Sequence, residues 1–146
     1  MKIIKYHDVI DATGYSDYLL EIKDALPKGA YQFASDKNHY DFGAYCTHDL
    51  KFYSFEIKDN TEINAILQLK KNKFKHDKDL IISYMNCRDI SIRLDDDIKE
   101  SCLDDIVIDE ITMDNLSGYV IHEIRFISGT LSIKCKDLEA VWGDIS

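Results

Sequence analysis

The stretch YVIHEIRFISGTLSIKCK, residues 119–136, decides the fold. Apolar and polar residues alternate through both of its halves, as they do in a β-strand with one face on a hydrophobic core. The inward positions are Val120, His122, Ile124 and Phe126 in the first half, then Leu131, Ile133 and Cys135 in the second. Between the halves, Gly129 can adopt a positive φ without steric penalty, which suits a tight turn. The stretch therefore predicts a β-hairpin.

One amphipathic helix is predicted before the strands. Residues 16–26, SDYLLEIKDAL, carry apolar side chains at helical spacing. Ser16 is a candidate N-cap, and Pro27 with Gly29 forms a stop signal. Residues 2–10 are a candidate first strand with imperfect alternation.

From residue 50 onward, β-branched and aromatic segments are separated by polar turns. The predicted strands cover residues 50–57, 79–86, 90–94 and 103–113, followed by the hairpin. Residues 61–71 fit either a strand or a helix capped by Thr61, and the strand is favoured because antiparallel neighbours need a partner. Trp142 is expected to cover one edge of the core.

These elements predict a single domain, residues 1–146, of the α+β class and mainly β. One N-terminal helix is followed by an antiparallel sheet or a sandwich of hairpins. A chain of 146 residues with 45% hydrophobic content is large enough to bury its own core.

The composition also bears on partners and location. The formal net charge of -9 repels phosphate backbones, so nucleic acid is not an expected partner, whereas a basic protein is. None of the four cysteines forms a CxxC pair, and the sequence shows neither a secretory signal nor an apolar run long enough for a membrane. A cytoplasmic protein with reduced thiols is therefore expected.

Residues 31–49 hold the densest group of chemically capable side chains. This group consists of His39, Tyr40, Asp41, Cys46, His48 and Asp49. Cys46 and His48, with His39, offer nitrogen and sulfur ligands of the kind that Zn²⁺ prefers, and the same Cys–His pair could form an activated thiolate. A structural zinc site normally has two paired ligand clusters, and only one is visible. The favoured interpretation is a loop braced by hydrogen bonds from its His and Asp side chains, with no metal or cofactor.

Two acidic runs form a second candidate site. They comprise Asp95, Asp96 and Asp97, then Asp104 and Asp105, with Asp109 and Glu110 close behind. The central glycine of a calcium-binding loop is missing, so the runs indicate solvated loops or a docking surface for a basic partner. His122 is interpreted as a hydrogen-bonded core histidine, which joins a site only if it faces the loop at residues 39–49.

Residues 33–57, FASDKNHYDFGAYCTHDLKFYSFEI, resemble a pattern in small, uncharacterised β-rich bacterial proteins. The matching positions are Phe33, Ala34, His39, Tyr40, Asp41, Phe42, Cys46, His48 and Asp49. Such proteins are similar to candidate immunity partners of secreted toxins. The resemblance implies a β-rich single domain and no established activity.

Together these observations predict a non-enzymatic, cytoplasmic protein-binding module, in its sharpest form an immunity protein that covers the active site of a basic toxin. One alternative is a metal-binding protein or metal-dependent enzyme centred on residues 39–49. Another is a structural homo-oligomer in which exposed sheet edges or apolar patches pair.

Overall fold

The computed structural model describes residues 1–6, 9–96 and 102–145. Within them, two helices precede a set of strands. The helices are α1 (Thr13–Ile22) and α2 (Lys28–Ala34). The strands are β1 (Lys51–Asp59), β2 (Ile63–Lys70), β3 (Asp79–Met85), β4 (Ile90–Leu94), β5 (Ile106–Met113), β6 (Val120–Phe126), β7 (Gly129–Cys135) and β8 (Asp137–Gly143). The mainly β class with an N-terminal helix, predicted from the sequence, is confirmed.

The strands form two antiparallel sheets, ordered β1-β2-β3-β8 and β4-β7-β6-β5. One corner joins the sheets, because β7 runs into β8 through Lys136 while β3 runs into β4 through residues 86–89. These two connections are hydrogen bonded to each other. Arg88 N–H donates to the Lys134 carbonyl at 2.8 Å, and Lys136 N–H donates to the Met85 carbonyl at 2.9 Å. Two long, bent strands therefore cross from one sheet to the other.

A second corner joins the start of β1 to the start of β5. Asp49 N–H donates to the Ile106 carbonyl at 2.9 Å, and Ile106 N–H donates to the Leu50 carbonyl at 2.7 Å. Phe52 N–H donates to the Asp104 carbonyl at 3.1 Å. These bonds satisfy backbone groups at two sheet edges that would otherwise be open.

One hydrophobic core lies between the sheets. Its fully buried members include Leu67, Leu69, Leu80, Ile82, Ile111, Val120, Ile124, Phe126, Leu131 and Ile133. Burying each such side chain contributes about 1.5–3 kcal/mol. The alternating faces of β6 and β7 supply much of this core, so the predicted hairpin has the predicted inward side.

The reason for glycine in this hairpin differs from the prediction. Gly129 does not have a positive φ; the connection is the two residues Ile127 and Ser128. A Cβ on Gly129 would lie 2.3 Å from the Arg93 carbonyl oxygen. Glycine is needed there because β4 packs too close for a side chain.

The helical prediction was incomplete. α1 begins at Thr13, before the predicted cap Ser16, and it has no side-chain cap. Pro27 is the N-cap position of α2, and Gly29 lies inside that helix. Pro27 therefore begins a second helix, as proline can at a helix N-terminus. No segment described within residues 1–12 is a strand; only an isolated bridge joins Lys5 to Asp11.

The other ambiguous segments resolve as strands. Residues 63–70 form β2, which confirms the favoured alternative for residues 61–71. The segment that contains Trp142 is β8, hydrogen bonded to β3, where we expected only a side chain covering the core edge. Within the described residues, neither helix combines the length and apolarity that crossing a membrane requires.

α2 docks on β8 through its N-terminus. The Asp137 carboxylate accepts hydrogen bonds from Ala30 N–H at 2.9 Å and from Gly29 N–H at 3.3 Å. A carboxylate there satisfies unpaired amides and faces the positive end of the helix. The approach is close enough that a Cβ on Gly29 would lie 1.9 Å from the Leu138 carbonyl oxygen.

We predict that Gly29→Ala destabilises the protein by about 1–3 kcal/mol, the range for overpacking. In an unobstructed helix the same change would stabilise by up to about 1 kcal/mol, so the sign reports the contact with β8. Urea unfolding measures the difference. Gly143→Ala is the control, because a Cβ there meets nothing within 4 Å. Equal stability of the two variants would contradict the docking geometry.

Candidate functional site

A buried carboxylate, Asp109 on β5, is the centre of the most extensive polar network in the core. It accepts hydrogen bonds from Thr47 Oγ1 at 2.5 Å, from His39 Nε2 at 2.8 Å and from His122 Nε2 at 2.8 Å. Asp109 is 0% exposed. The three donors come from the loop before β1 and from β6, so one anion joins three parts of the chain.

The contacts of His39 identify it as an imidazolium. Its Nε2 faces the Asp109 carboxylate, and its Nδ1 lies 2.8 Å from the Phe33 carbonyl oxygen, which can only accept. Both ring nitrogens therefore carry hydrogen. The ring stacks on Tyr40, with centroids 4.2 Å apart, and is itself buried.

His122 extends the network across the core to the other sheet. Its Nδ1 lies 2.7 Å from the hydroxyl of Tyr84 on β3. Burial raises the pKa of Tyr84 well above its usual value, so the phenol keeps its proton and shares a hydrogen bond with Nδ1. His122 then donates from Nε2 to Asp109. The polar chain thus runs from α2 to β3 without an unpaired group.

The charges of His39 and Asp109 hold each other in place. Burial alone would lower the pKa of His39, but the adjacent Asp109 carboxylate outweighs burial and the pKa is raised. Burial alone would raise the pKa of Asp109, but the His39 charge and the histidine hydrogen bonds hold it far below its usual value. The pair is therefore ionic, and the His39 charge compensates the buried carboxylate.

This network positions the loop and is closed to substrates. His39 is 3% exposed, Thr47 2% and His122 1%. Tyr40 is held at the same place, because its hydroxyl donates to the Asp109 carbonyl at 2.9 Å. His122 does face the predicted loop, so the hairpin contributes to the network. The interpretation of the loop as braced by its own side chains agrees with these contacts.

Tyrosine hydroxyls cover the free edge of β5. Tyr15 OH donates to the Ile111 carbonyl at 2.7 Å and accepts from the Ile111 N–H at 2.8 Å. Tyr18 OH accepts from Met113 N–H at 2.9 Å. With Tyr40, three side chains satisfy backbone groups on which another strand would otherwise pair.

The remaining loop candidates lie in a separate cluster. His48 Nδ1 is 3.0 Å from Asp49 Oδ1, and Lys75 Nζ is 2.8 Å from Asp49 Oδ2. These hydrogen bonds and charges hold the pKa of Asp49 below its usual value, although its partial burial opposes the shift. Phe42 packs edge-on against His48, and Phe42 and Asp49 both have positive φ. Asp41 accepts from Gly43 N–H at 2.8 Å. This cluster is an ion-paired turn.

Cys46 is buried beneath that turn. Its thiol donates to the His48 carbonyl oxygen at 3.5 Å, and the nearby imidazole belongs to His76, whose Nε2 is 3.9 Å from Sγ. Burial raises the pKa of the Cys46 thiol, which opposes the activated thiolate considered from the sequence. His76, which no sequence motif singles out, is buried and hydrogen bonded to the Cys46 carbonyl at 3.0 Å. Among the described residues, no group of three or more His, Cys, Asp or Glu side chains could hold a metal ion.

The residues of the acidic runs lie in two different environments, the core and the surface. Asp109 and Glu110, which the sequence placed with the solvated runs, are buried in β5. Glu110 accepts from the backbone N–H groups of Lys2, Ile3 and Ile4 at 3.0, 2.8 and 2.7 Å, so it fixes the N-terminal segment. Their position inside the apolar run IVIDEITM was the available signal, since carboxylates flanked on both sides by core residues are rarely solvated.

The surface acids converge around the β6–β7 turn. Asp95 N–H donates to the Ser128 carbonyl at 3.0 Å, and Ile127 N–H donates to the Asp105 carbonyl at 2.9 Å. Asp95 is ion-paired with Arg125 at 2.6 Å, and Asp104 lies 3.6 Å from Lys51. We call Asp95, Asp96, Asp104, Asp105 and Ile127 the acidic turn surface. Asp97 lies outside the described residues.

This surface joins charge to an apolar centre. Ile127 is 51% exposed, and Asp96, which follows the turn-bonded Asp95 in the sequence, is also exposed. Partial burial and the neighbouring Asp104 raise the pKa of Asp105. Burial is the larger of these two causes, so a cation would relieve only the contribution of Asp104 to the raised pKa.

A groove of about 510 Å³ separates α1 from α2 and is open to solvent. Tyr15, Leu19, Ala34 and Tyr40 are among the residues that line it. No sequence pattern indicated the groove, because the second helix was not predicted. No protein-family model matches this chain, and no curated protein matches it with significant similarity.

We predict that Asp109→Asn lowers the free energy of unfolding by about 3–5 kcal/mol, the range for breaking a buried ion pair from one side. The amide leaves the His39 imidazolium without its anion and turns an N–H₂ group toward histidine donors. Chemical unfolding followed by tryptophan fluorescence measures the change. Asp96→Asn is the matched control; it is exposed and should change stability by less than about 0.5 kcal/mol. Similar losses in both variants would contradict the assignment.

We also predict a stability plateau between about pH 4 and pH 6.5, set by the ordinary pKa values of Asp and His. The contribution of Asp109, whose pKa is lowered, is lost as the pH falls below about 4 toward its folded-state pKa. That of His39, whose pKa is raised, is lost as the pH rises above about 6.5 through its folded-state pKa. Urea midpoints across pH 3–9 test this. His39→Gln should flatten the alkaline decline, and an unaltered decline would refute it.

Proposed function

We propose that this protein is a non-enzymatic protein-binding module, in its sharpest form an immunity protein that neutralises a bacterial toxin by covering its active site. The observation that carries the proposal is the convergence of two acidic runs around Ile127. Asp95 and Asp105 are ten positions apart in the sequence, yet their backbones both hydrogen bond the β6–β7 turn. A charged rim around an exposed apolar side chain is a common pattern for a protein interface.

The positions of the polar side chains, some buried and some at the surface, support the same proposal. The network of His39, Asp109 and His122 holds the most reactive side chains. These residues hydrogen bond one another inside the core and are closed to solvent. What the protein presents to a partner at the acidic turn surface is therefore shape and negative charge, part of which Arg125 and Lys51 offset. The net charge of -9 adds long-range attraction toward a basic protein and speeds its association.

Covering an active site requires a rigid surface. The turn is fixed by Ser128 N–H, which donates to the Leu103 carbonyl at 3.1 Å, and by the bidentate contact of Arg125 with Asp95. Rigidity limits the ordering entropy that binding must offset. A basic catalytic cleft, such as one that acts on phosphate backbones, fits this charge.

We predict a stable complex between this protein and the product of an adjacent gene that encodes a secreted toxin. Co-expression should restore growth, and size-exclusion chromatography should show both chains in one peak. Asp96→Asn with Asp104→Asn should weaken association about tenfold at low salt, because rim charges act mainly on the association rate. Asparagine tolerates the positive φ at Asp104.

The matched control removes the same two charges elsewhere. Asp59→Asn with Glu62→Gln alters exposed acids at the far end of β1, about 26 Å along the strand from Lys51. This control should bind as the parent does. Absence of a complex with unabated toxicity would reject the immunity role, and a stable dimer of the chain alone through the turn would favour the homo-oligomer.

A further inference from the structure

The groove between α1 and α2 carries a second inference, independent of the immunity role. Its lips include Leu20, 66% exposed, and Tyr31, 36% exposed. Its volume of about 510 Å³ lies within the range of about 300–1,000 Å³ that binding clefts occupy. Large apolar side chains left in water at the rim of a cleft commonly mark a binding site.

The floor of the groove contains tyrosine rings whose hydroxyls are already hydrogen bonded. The rings of Tyr15 and Tyr40 meet edge to face, with centroids 5.5 Å apart. Their hydroxyls point away from the groove to the backbone of β5, where both are already hydrogen bonded. Because Tyr15 is buried, the floor offers the half-buried Tyr40 ring and Leu19, without free hydroxyls. A small polar ligand instead needs convergent polar groups to orient it.

The polar groups lie on the rim, and acids predominate there. Asp36 accepts from Asn38 N–H and Asp41 accepts from Gly43 N–H, both at 2.8 Å. These bonds fix the carboxylates on either side of His39 and Tyr40. Lys37 is the cation among the residues that line the groove, against the two carboxylates of Asp36 and Asp41.

The groove is also preorganised. Tyr40 is anchored to Asp109, and α2 is anchored to β8 through Asp137, so the floor and one wall belong to the rigid core. A partner that enters such a groove does not have to order it, which reduces the entropic cost of association.

We infer that this groove docks an amphipathic segment of another protein, in which large apolar side chains enter the floor and flanking Lys or Arg residues meet the rim. The apolar floor, acidic rim and solvent-open shape match the recognition of a basic amphipathic helix in a groove. The charge complementarity selects a basic segment over an acidic one.

The test uses synthetic peptides of about 14 residues. A Leu/Lys peptide with helical periodicity should bind, and its Leu/Glu counterpart should bind at least tenfold more weakly. Backbone amide shifts of the ¹⁵N-labelled protein should change around α1, α2 and residues 36–41. Raising the salt concentration should weaken binding, because the rim charges are exposed.

Variants locate the site. Leu20→Lys should weaken binding of the Leu/Lys peptide at least tenfold, because it removes a lip side chain and adds a repelling charge. Leu116→Lys is the matched control, since Leu116 is fully exposed in the β5–β6 connection. Circular dichroism should show both variants folded.

Three results would overturn the inference: no binding at millimolar peptide, equal binding of the Leu/Glu peptide, or equal effects of Leu20→Lys and Leu116→Lys. None of them touches the immunity role, which depends on the acidic turn surface and on a different complex. A toxin complex that forms while the peptides fail would retain the proposed function and reject the groove.

Discussion

The architecture depends on one buried anion. The Asp109 carboxylate is surrounded by hydrocarbon, where an unpaired charge would be prohibitive, and it is stabilised by an imidazolium and two further donors. Those donors come from the loop before β1 and from β6, and His122 passes the chain of hydrogen bonds on to Tyr84 in the other sheet. Loop, hairpin and opposite sheet are therefore coupled, because none can move without leaving a buried polar group unpaired.

The N-terminal third of the chain is held in place by the strand that carries Asp109, β5. β5 is an edge strand, and its exposed backbone is satisfied by the hydroxyls of Tyr15, Tyr18 and Tyr40. Glu110, on the opposite face from Asp109, binds three backbone amides of the first residues. α1 and the loop that holds Tyr40 thus cover β5, whereas α2 packs mainly on β8. The groove lies between the two helices.

Carboxylate side chains have two uses in this protein, one structural and one in recognition, and burial separates the two. Asp109 and Glu110 hold structure together because their oxygens are fully occupied inside the protein. Asp96, which is exposed, and Asp104, which is half-buried, lie earlier in the sequence and produce a field that acts on partners. An acidic composition is therefore ambiguous by itself, since the net charge does not say which carboxylates are available for recognition.

The sequence by itself determined the β class and the faces of the hairpin, because the period-two alternation from Val120 to Cys135 depends only on local geometry. It also singled out the loop that contains His39. The roles of Asp109 and Gly29 were decided only by the tertiary structure. Asp109 meets a histidine 70 positions away, and Gly29 is constrained by β8, 108 positions later. Contacts at such separations leave no periodic trace, since they are set by how the layers pack and not by neighbours along the chain.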